Sequence, residues 1–335
     1  MDNLKIKSDL LSSSKIKIDS SVLESRNMGD SGNLLRKKWI FIKLNKNSRV
    51  RMVISNESDY VLYKNNIDGL YIFNTKNKRI IADHIEIEEP IVHAPEQMFF
   101  TLYRSCIRGC KFCPLTYANE NTHHSANYII GKIDDNKIPK SIGITSSNPR
   151  YLVTSDIVDE ICFLTKKIRE KLGNYIPIGA SMNSPSFDDI KRLKKVGINE
   201  LRLNIETPNE DLAKNIMPNK PINEIYNSIN MACDIFGENK VSSNIIIGLG
   251  ETDSDISYGI NKLASMGAIA TLYPYDSINA NIKDVAKFSR PSSKRIYDLA
   301  LEHKHILSKF NLNPLELQTM CGSCAASHIL PFKDF

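Results

Sequence analysis

The sequence predicts an α/β protein: a partial (β/α)6 TIM-like barrel with a small N-terminal β-rich extension and an irregular C-terminal tail. Three observations carry this expectation. Beyond Pro95, six short apolar runs of strand character alternate with longer segments whose apolar residues recur at helical spacing. Between Trp39 and Ile87 the runs are shorter and are separated by Asn-rich turns. After one last helical segment, Lys294–Phe310, neither rhythm persists.

Residues 1–35 are rich in Ser, Lys and Asp and are predicted to be a mobile, disordered tail. Residues 36–92 are expected to form the small β-rich element. Its strands are Trp39–Lys43, Val50–Ile54 and Leu70–Phe73, with turns at Asn45–Asn47 and Asn65–Gly69. Residues 93–312 are assigned to the barrel. Strands are predicted at Met98–Tyr103, Ser141–Ser146, Ile176–Ser181, Glu200–Glu206, Val241–Gly248 and Ala268–Tyr273. Helices are predicted at Ser155–Leu172, Ser186–Val196, Ile222–Phe236, Asp253–Met266 and Lys294–Phe310. Thr154-Ser155-Asp156 and Ser186 with Asp188 and Asp189 supply start signals; Gly173, Gly197 and Gly267 supply stops. Residues 313–335 form the tail. A parallel sheet built this way presents its chemistry at the carboxyl ends of its strands.

The 335 residues, 41% hydrophobic and 24% charged, suffice for a large globular core. The net charge of +6 comes mostly from scattered Lys. No cluster of basic residues interleaved with aromatics accompanies it, which argues against nucleic acid as a partner. No apolar run is long enough to span a membrane, and Met1–Ser31 lack the apolar centre of a secretory signal. A cytoplasmic, reducing location follows as the expectation. There, seven cysteines are read as thiols or ligands rather than disulfides.

Five of those cysteines fall in two short motifs. The first, Cys106-Ile-Arg-Gly-Cys110-Lys-Phe-Cys113, directly follows the first predicted barrel strand. Soft thiolate ligands suit iron–sulfur or zinc centres. A cubane has four irons, so three local cysteines leave one iron open to a small molecule such as S-adenosylmethionine. Gly109 is placed to supply a tight turn and Phe112 to pack beside an adenosine.

The motif resembles the signature of the radical S-adenosylmethionine superfamily, and the resemblance spans roughly Ile91 to Phe310. It implies a [4Fe–4S] cluster on Cys106, Cys110 and Cys113, and reductive cleavage of S-adenosylmethionine to a 5′-deoxyadenosyl radical. It also implies an electron donor such as ferredoxin or flavodoxin. Leu201–Thr207 and Asn244–Thr252 are similar to segments of the biotin-synthase-like branch. By that resemblance Asn204 and Glu206, two apart on one strand face, contact the cofactor, and Gly248 lets backbone approach the adenine. One departure stands out. Where the family carries a Gly-Gly-Glu-like turn for the methionine amino group, this chain reads Gly143-Ile-Thr-Ser-Ser147, leaving Thr145 and Ser146 as the candidate contacts.

The second motif is Cys321-Gly-Ser-Cys324, with His328 and Asp334 nearby. It admits an auxiliary iron–sulfur cluster, a zinc clip or a redox dithiol. With Leu330–Asp334 it resembles archaeal biotin-synthase-related proteins, some of which act as two-protein lipoyl synthases. This implies sulfur insertion into an acyl chain, with a second radical enzyme or an acyl-carrying protein as partner. Two alternatives stand beside it. One is radical chemistry ending in rearrangement, methylation or cofactor assembly without sulfur insertion. The other is a zinc-stabilised protein that binds nucleic acid. His93, His123, His124, Tyr103, Arg104 and Tyr273-Pro-Tyr275 complete the residues near the predicted site.

Overall fold

The structure is a computed structural model and describes residues 2–24, 38–67, 69–116, 122–134, 137–276 and 288–335. The N-terminal part begins with helix α1 (Asn3–Ser13), strand β1 (Lys15–Ile18) and helix α2 (Ser20–Glu24). Strands β2 (Trp39–Lys43), β3 (Arg49–Ile54), β4 (Tyr60–Asn65), β5 (Gly69–Asn74) and β6 (Arg79–Glu88) follow. The six close into a small barrel in the order β1-β3-β2-β6-β5-β4. Closure depends on β1, which pairs in parallel with β3 at Lys15–Val53 and with β4 at Lys17–Val61. The other pairings are antiparallel.

The mobile tail expected for residues 1–35 is corrected over its described part. Asp2 caps α1 by accepting from Leu4 N and Lys5 N. The helix then buries Leu4, Lys7 and Leu11, spaced three and four apart on one face. A lysine in the middle of that face disguised it as polar. The fully buried Lys7 ammonium is matched by Asp334 at 2.8 Å and by the Ala325 carbonyl at 2.7 Å, both from the far end of the chain. Residues 25–35 lie outside the described residues.

Strand β7 (Gln97–Thr101) opens the second part, followed by α3 (Ala126–Gly131), β8 (Ser141–Thr145), α4 (Thr154–Leu172), β9 (Ile178–Ser181), α5 (Phe187–Lys195) and β10 (Glu200–Arg202). Then come α6 (Glu210–Ile216), α7 (Ile222–Phe236), β11 (Val241–Ile247), α8 (Asp253–Ala264), β12 (Ile269–Pro274), α9 (Ser293–Lys309) and α10 (Met320–Cys324). Strands β7 to β12 lie side by side in chain order, every pair parallel. Caps agree with the local sequence: Ser186 and Asp189 bond reciprocally at the start of α5, as Thr252 and Asp255 do for α8. The apolar faces of these helices meet the sheet in one continuous core that includes Ile144, Ile161, Leu201, Ile229 and Ile260.

The tail is ordered rather than irregular. It carries α10 and docks on the sheet through the first residues of three strands. Glu200 accepts from Gln318 N, Thr319 N and Thr319 Oγ1; Gln97 reaches the Met320 carbonyl; Ser141 meets Ser323. Gly179 makes the approach feasible, since a Cβ there would lie 2.1 Å from Thr319 Oγ1. From there the tail runs inward along the sheet, Ile329 forming a bridge to Leu272 of β12. No helix among the described residues is long and apolar enough to cross a membrane.

Candidate active site

The Cys106–Cys113 loop leaves the carboxyl end of β7 and is held from three sides. Ile107 N donates to the Asn148 carbonyl at 2.9 Å, Lys111 N to the Ile216 carbonyl at 2.8 Å, and Arg108 to the Asn219 carbonyl at 2.6 Å. Gly109 takes a φ of +66°, and Cys113 N closes a turn onto the Cys110 carbonyl at 3.0 Å. Desolvation pushes the Cys110 thiol up to about 12, with the neighbouring Glu206, Cys113 and Cys106 adding to the rise against Lys220. Cys113 is raised for the same leading reason. The three thiols therefore lie within electrostatic reach of one another, and none is in a disulfide.

Among the described residues no three of His, Cys, Asp and Glu converge closely enough to share one metal ion. The cysteines of a cubane need not converge on one ion, because each binds a different iron. Thiols held protonated by burial are the donors that a bound cationic cluster would deprotonate.

The loop borders a cavity of about 640 Å3, within the size range of small-molecule sites. Phe112, Cys113 and Pro114 line it, with Glu206, Asn244 and Ile246, and with Tyr273, Pro274 and Tyr275 from the end of β12 and beyond. The remaining wall includes Leu11, Trp39 and Arg51 of the N-terminal barrel, together with His93 and Arg290. This wall was invisible in the sequence, where the N-terminal element shows no site-like motif.

The predicted cofactor contacts divide. Phe112 and Glu206 reach the cavity; Glu206 is paired there with Lys220 at 3.1 Å, both well buried. Asn204 is not among the lining residues, and its Oδ1 accepts from Asn244 N at 3.2 Å. The expected shared strand face fails because Glu206 has a φ of +65°, which breaks the alternation. Asn244, overlooked as a side chain in the sequence, lines the cavity and is held by Thr271 Oγ1 at 2.6 Å.

Thr145 and Ser146 are also absent from the lining. The Thr145 carbonyl accepts from Leu102 N at 2.8 Å, and Ser146 Oγ donates to the Ser147 carbonyl at 2.8 Å. Ser147 Oγ lies 2.6 Å from the carbonyl oxygens of both Tyr103 and Ser105, so this turn braces the approach to Cys106. At Gly248 the close approach is made by the chain itself: a Cβ would lie 2.0 Å from the Ser289 carbonyl oxygen. His123 stacks on Tyr103 with centroids 4.4 Å apart, and both bond Glu160.

Cys321 and Cys324 gather no further ligand among the described residues. The Cys321 sulfur accepts from Arg202 Nη1 at 2.7 Å and also bonds the Tyr273 hydroxyl. Cys324 packs against Phe41, Ala94 and Ala326. Asp334 is committed to Lys7 and Ser48. The buried His328 ring lies against Tyr273, 4.8 Å between centroids, with neither nitrogen hydrogen-bonded.

Residues 100–259, which contain all three loop cysteines, match the family model described as the Radical SAM superfamily. The matched segment makes up a little under half of the chain. Solved structures similar to the chain include methylornithine synthase (PylB), at 16% identity and a TM-score of 0.49, covering 62% of this chain and 61% of that one. Coproporphyrinogen III oxidase (HemN) from Escherichia coli matches at 16% identity and a TM-score of 0.48, over 69% of this chain and 55% of that one. A radical SAM methyltransferase from Sphaerobacter thermophilus matches at 15% identity and a TM-score of 0.48, over 88% and 82%. This chain thus spans less than two thirds of the first two. No curated protein matches it.

Proposed function

We propose that this protein is a radical SAM enzyme that functionalises an unactivated C–H bond of a small molecule held in the cavity. The observation that supports the reading is the coincidence of the match to the Radical SAM superfamily model with three cysteines, none in a disulfide, in an eight-residue loop bordering that cavity. Cys106, Cys110 and Cys113 would hold the [4Fe–4S] cluster. When bound with S-adenosylmethionine and reduced, such a cluster supplies one-electron cleavage of the sulfonium to methionine and a 5′-deoxyadenosyl radical. The chain's own residues do the rest. The Glu206–Lys220 pair and the Asn244 side chain offer polar anchors, while Phe112, Ile246 and Tyr273 supply apolar wall. The N-terminal barrel covers the carboxyl ends of the strands and so limits water around a reactive species. On this reading the parallel sheet serves as a partial (β/α)6 barrel, with ferredoxin or flavodoxin as the class of reductant.

Lipoyl-synthase-like sulfur insertion requires a second, sacrificial cluster. The Arg202 contact to Cys321 favours the alternative in which the radical chemistry ends without sulfur insertion. The test is anaerobic reconstitution with iron and sulfide, then dithionite, S-adenosylmethionine and chromatographic assay of 5′-deoxyadenosine. The wild type is expected to form it and Cys110→Ser to fall below detection. A fully iron-loaded wild type that forms none would sink the proposal.

A further inference from the structure

Every carboxylate on the described cavity wall already has a cation. Glu206 is paired with Lys220, and Asp276 with Arg290 at 3.2 Å. Arg290 is further committed to the Leu11 carbonyl, at 2.5 and 2.8 Å. Arg51 is different. It comes from β3 of the N-terminal barrel, lies 5.9 Å from the Trp39 ring centroid, and has no carboxylate partner among the described residues. Its charge is felt by its neighbours. His93 is pushed down to about 4, first by desolvation and then by Arg51 and Arg202, and Arg51 adds to the lowering that burial imposes on Arg290. The cavity thus carries an excess of positive potential, concentrated on the barrel wall and without an internal counter-charge.

We propose that Arg51, with Trp39 and His93, forms an anion subsite for the enzyme's second substrate, a small organic carboxylate, sulfonate or phosphate with an apolar body. A guanidinium presents a planar fork that binds such groups through two parallel hydrogen bonds. Stacked near an indole, it keeps that fork oriented. The neutral His93 imidazole adds a ring N–H without a competing charge. Phe112, Ile246 and Tyr273 suit the apolar body. This assignment of substrate class rests on the reading of the cavity as the reaction chamber. S-adenosylmethionine carries a carboxylate too, but Arg51 belongs to the N-terminal barrel rather than to the segment that matches the radical SAM model. That separation assigns the subsite to the second substrate.

Two fluorescent probes of nearly the same shape test it: 8-anilinonaphthalene-1-sulfonate and its uncharged analogue N-phenyl-1-naphthylamine. Both are titrated into the full chain without reductant or S-adenosylmethionine. Arg51→Gln is expected to weaken the sulfonate at least about tenfold, the loss of one charge-assisted contact, and to leave the neutral probe unchanged. Arg51→Lys, which keeps the charge but not the fork, should lose less. Equal weakening of both probes, or of neither, would overturn the subsite. In the reconstituted wild type, saturating S-adenosylmethionine should leave sulfonate binding in place; complete displacement would hand Arg51 to the cofactor and overturn the substrate assignment. The titration needs no cluster. A protein that binds the sulfonate through Arg51 yet makes no 5′-deoxyadenosine would therefore count against the radical chemistry and not against the anion site.

Discussion

The two cysteine motifs look alike in sequence and end in opposite surroundings. Cys106–Cys113 hangs from the carboxyl end of β7, and one of its thiols faces a large cavity. Cys321–Cys324 belongs to the tail that docks on the first residues of β7, β8 and β10; its Cys321 sulfur holds Arg202, the last residue of β10, and Cys324 packs against Phe41, Ala94 and Ala326. Donor spacing decides only what a segment is able to bind. Whether the donors remain available is decided by what the fold brings against them. In this chain Cys113 of the first motif borders a cavity, while the Cys321 sulfur of the second meets an arginine.

That contrast can be broken by experiment. The largest effect is expected from Lys7→Met, which leaves Asp334 buried without its cation. Removing one partner of a buried pair costs about 3–5 kcal/mol, and urea unfolding should show it. Iron bound per folded chain should not change. Iron lost in step with stability would mean that the tail and the cluster loop are one functional unit.

A smaller effect concerns acid. His303 is buried in α9 with neither ring nitrogen bonded, and desolvation pushes its pKa down to about 3. The unfolded chain binds a proton at this ring near pH 6.5 while the native state refuses it until about 3. Stability from this group is therefore whole above 6.5 and lost as pH falls toward 3, at about 1.4 kcal/mol per unit. His328 is shifted in the same direction by burial and by the charges of Lys7 and Lys333. Thermal melts of wild type between pH 7 and 5 should fall, and His303→Leu should flatten part of that slope. An unchanged slope would show that acid sensitivity arises elsewhere.

The smallest expected effect is the most pointed. Replacing Cys321 and Cys324 together by Ser should leave the iron content after anaerobic reconstitution unaltered. Loss of half the iron would restore an auxiliary cluster and, with it, sulfur insertion.

Much of the βα array was legible in the sequence. The helix predicted at Ser155–Leu172 is observed at Thr154–Leu172, and that at Ile222–Phe236 has the same bounds. Long amphipathic segments with caps declare themselves because their signals are local. The strand predicted at Glu200–Glu206 is shortened to Glu200–Arg202. Its expected contact Asn204 turned to the neighbouring strand because a left-handed residue interrupts the pleat. Helix α1 was missed because Lys7 masks its buried face.

By itself, then, the sequence determined the order of β7 to β12 with the five longest helices of that array, and the thiol loop that follows β7. Those rest on spacings of a few residues, and the backbone converts such spacings directly into faces and turns. Tertiary structure alone decided that Arg202 would occupy Cys321, that Asp334 would neutralise Lys7, and that the N-terminal barrel would lend Trp39 and Arg51 to the cavity. Each of those joins residues far apart along the chain. Which distant partner meets a buried charge or an open thiol is settled by packing, and no local pattern encodes it.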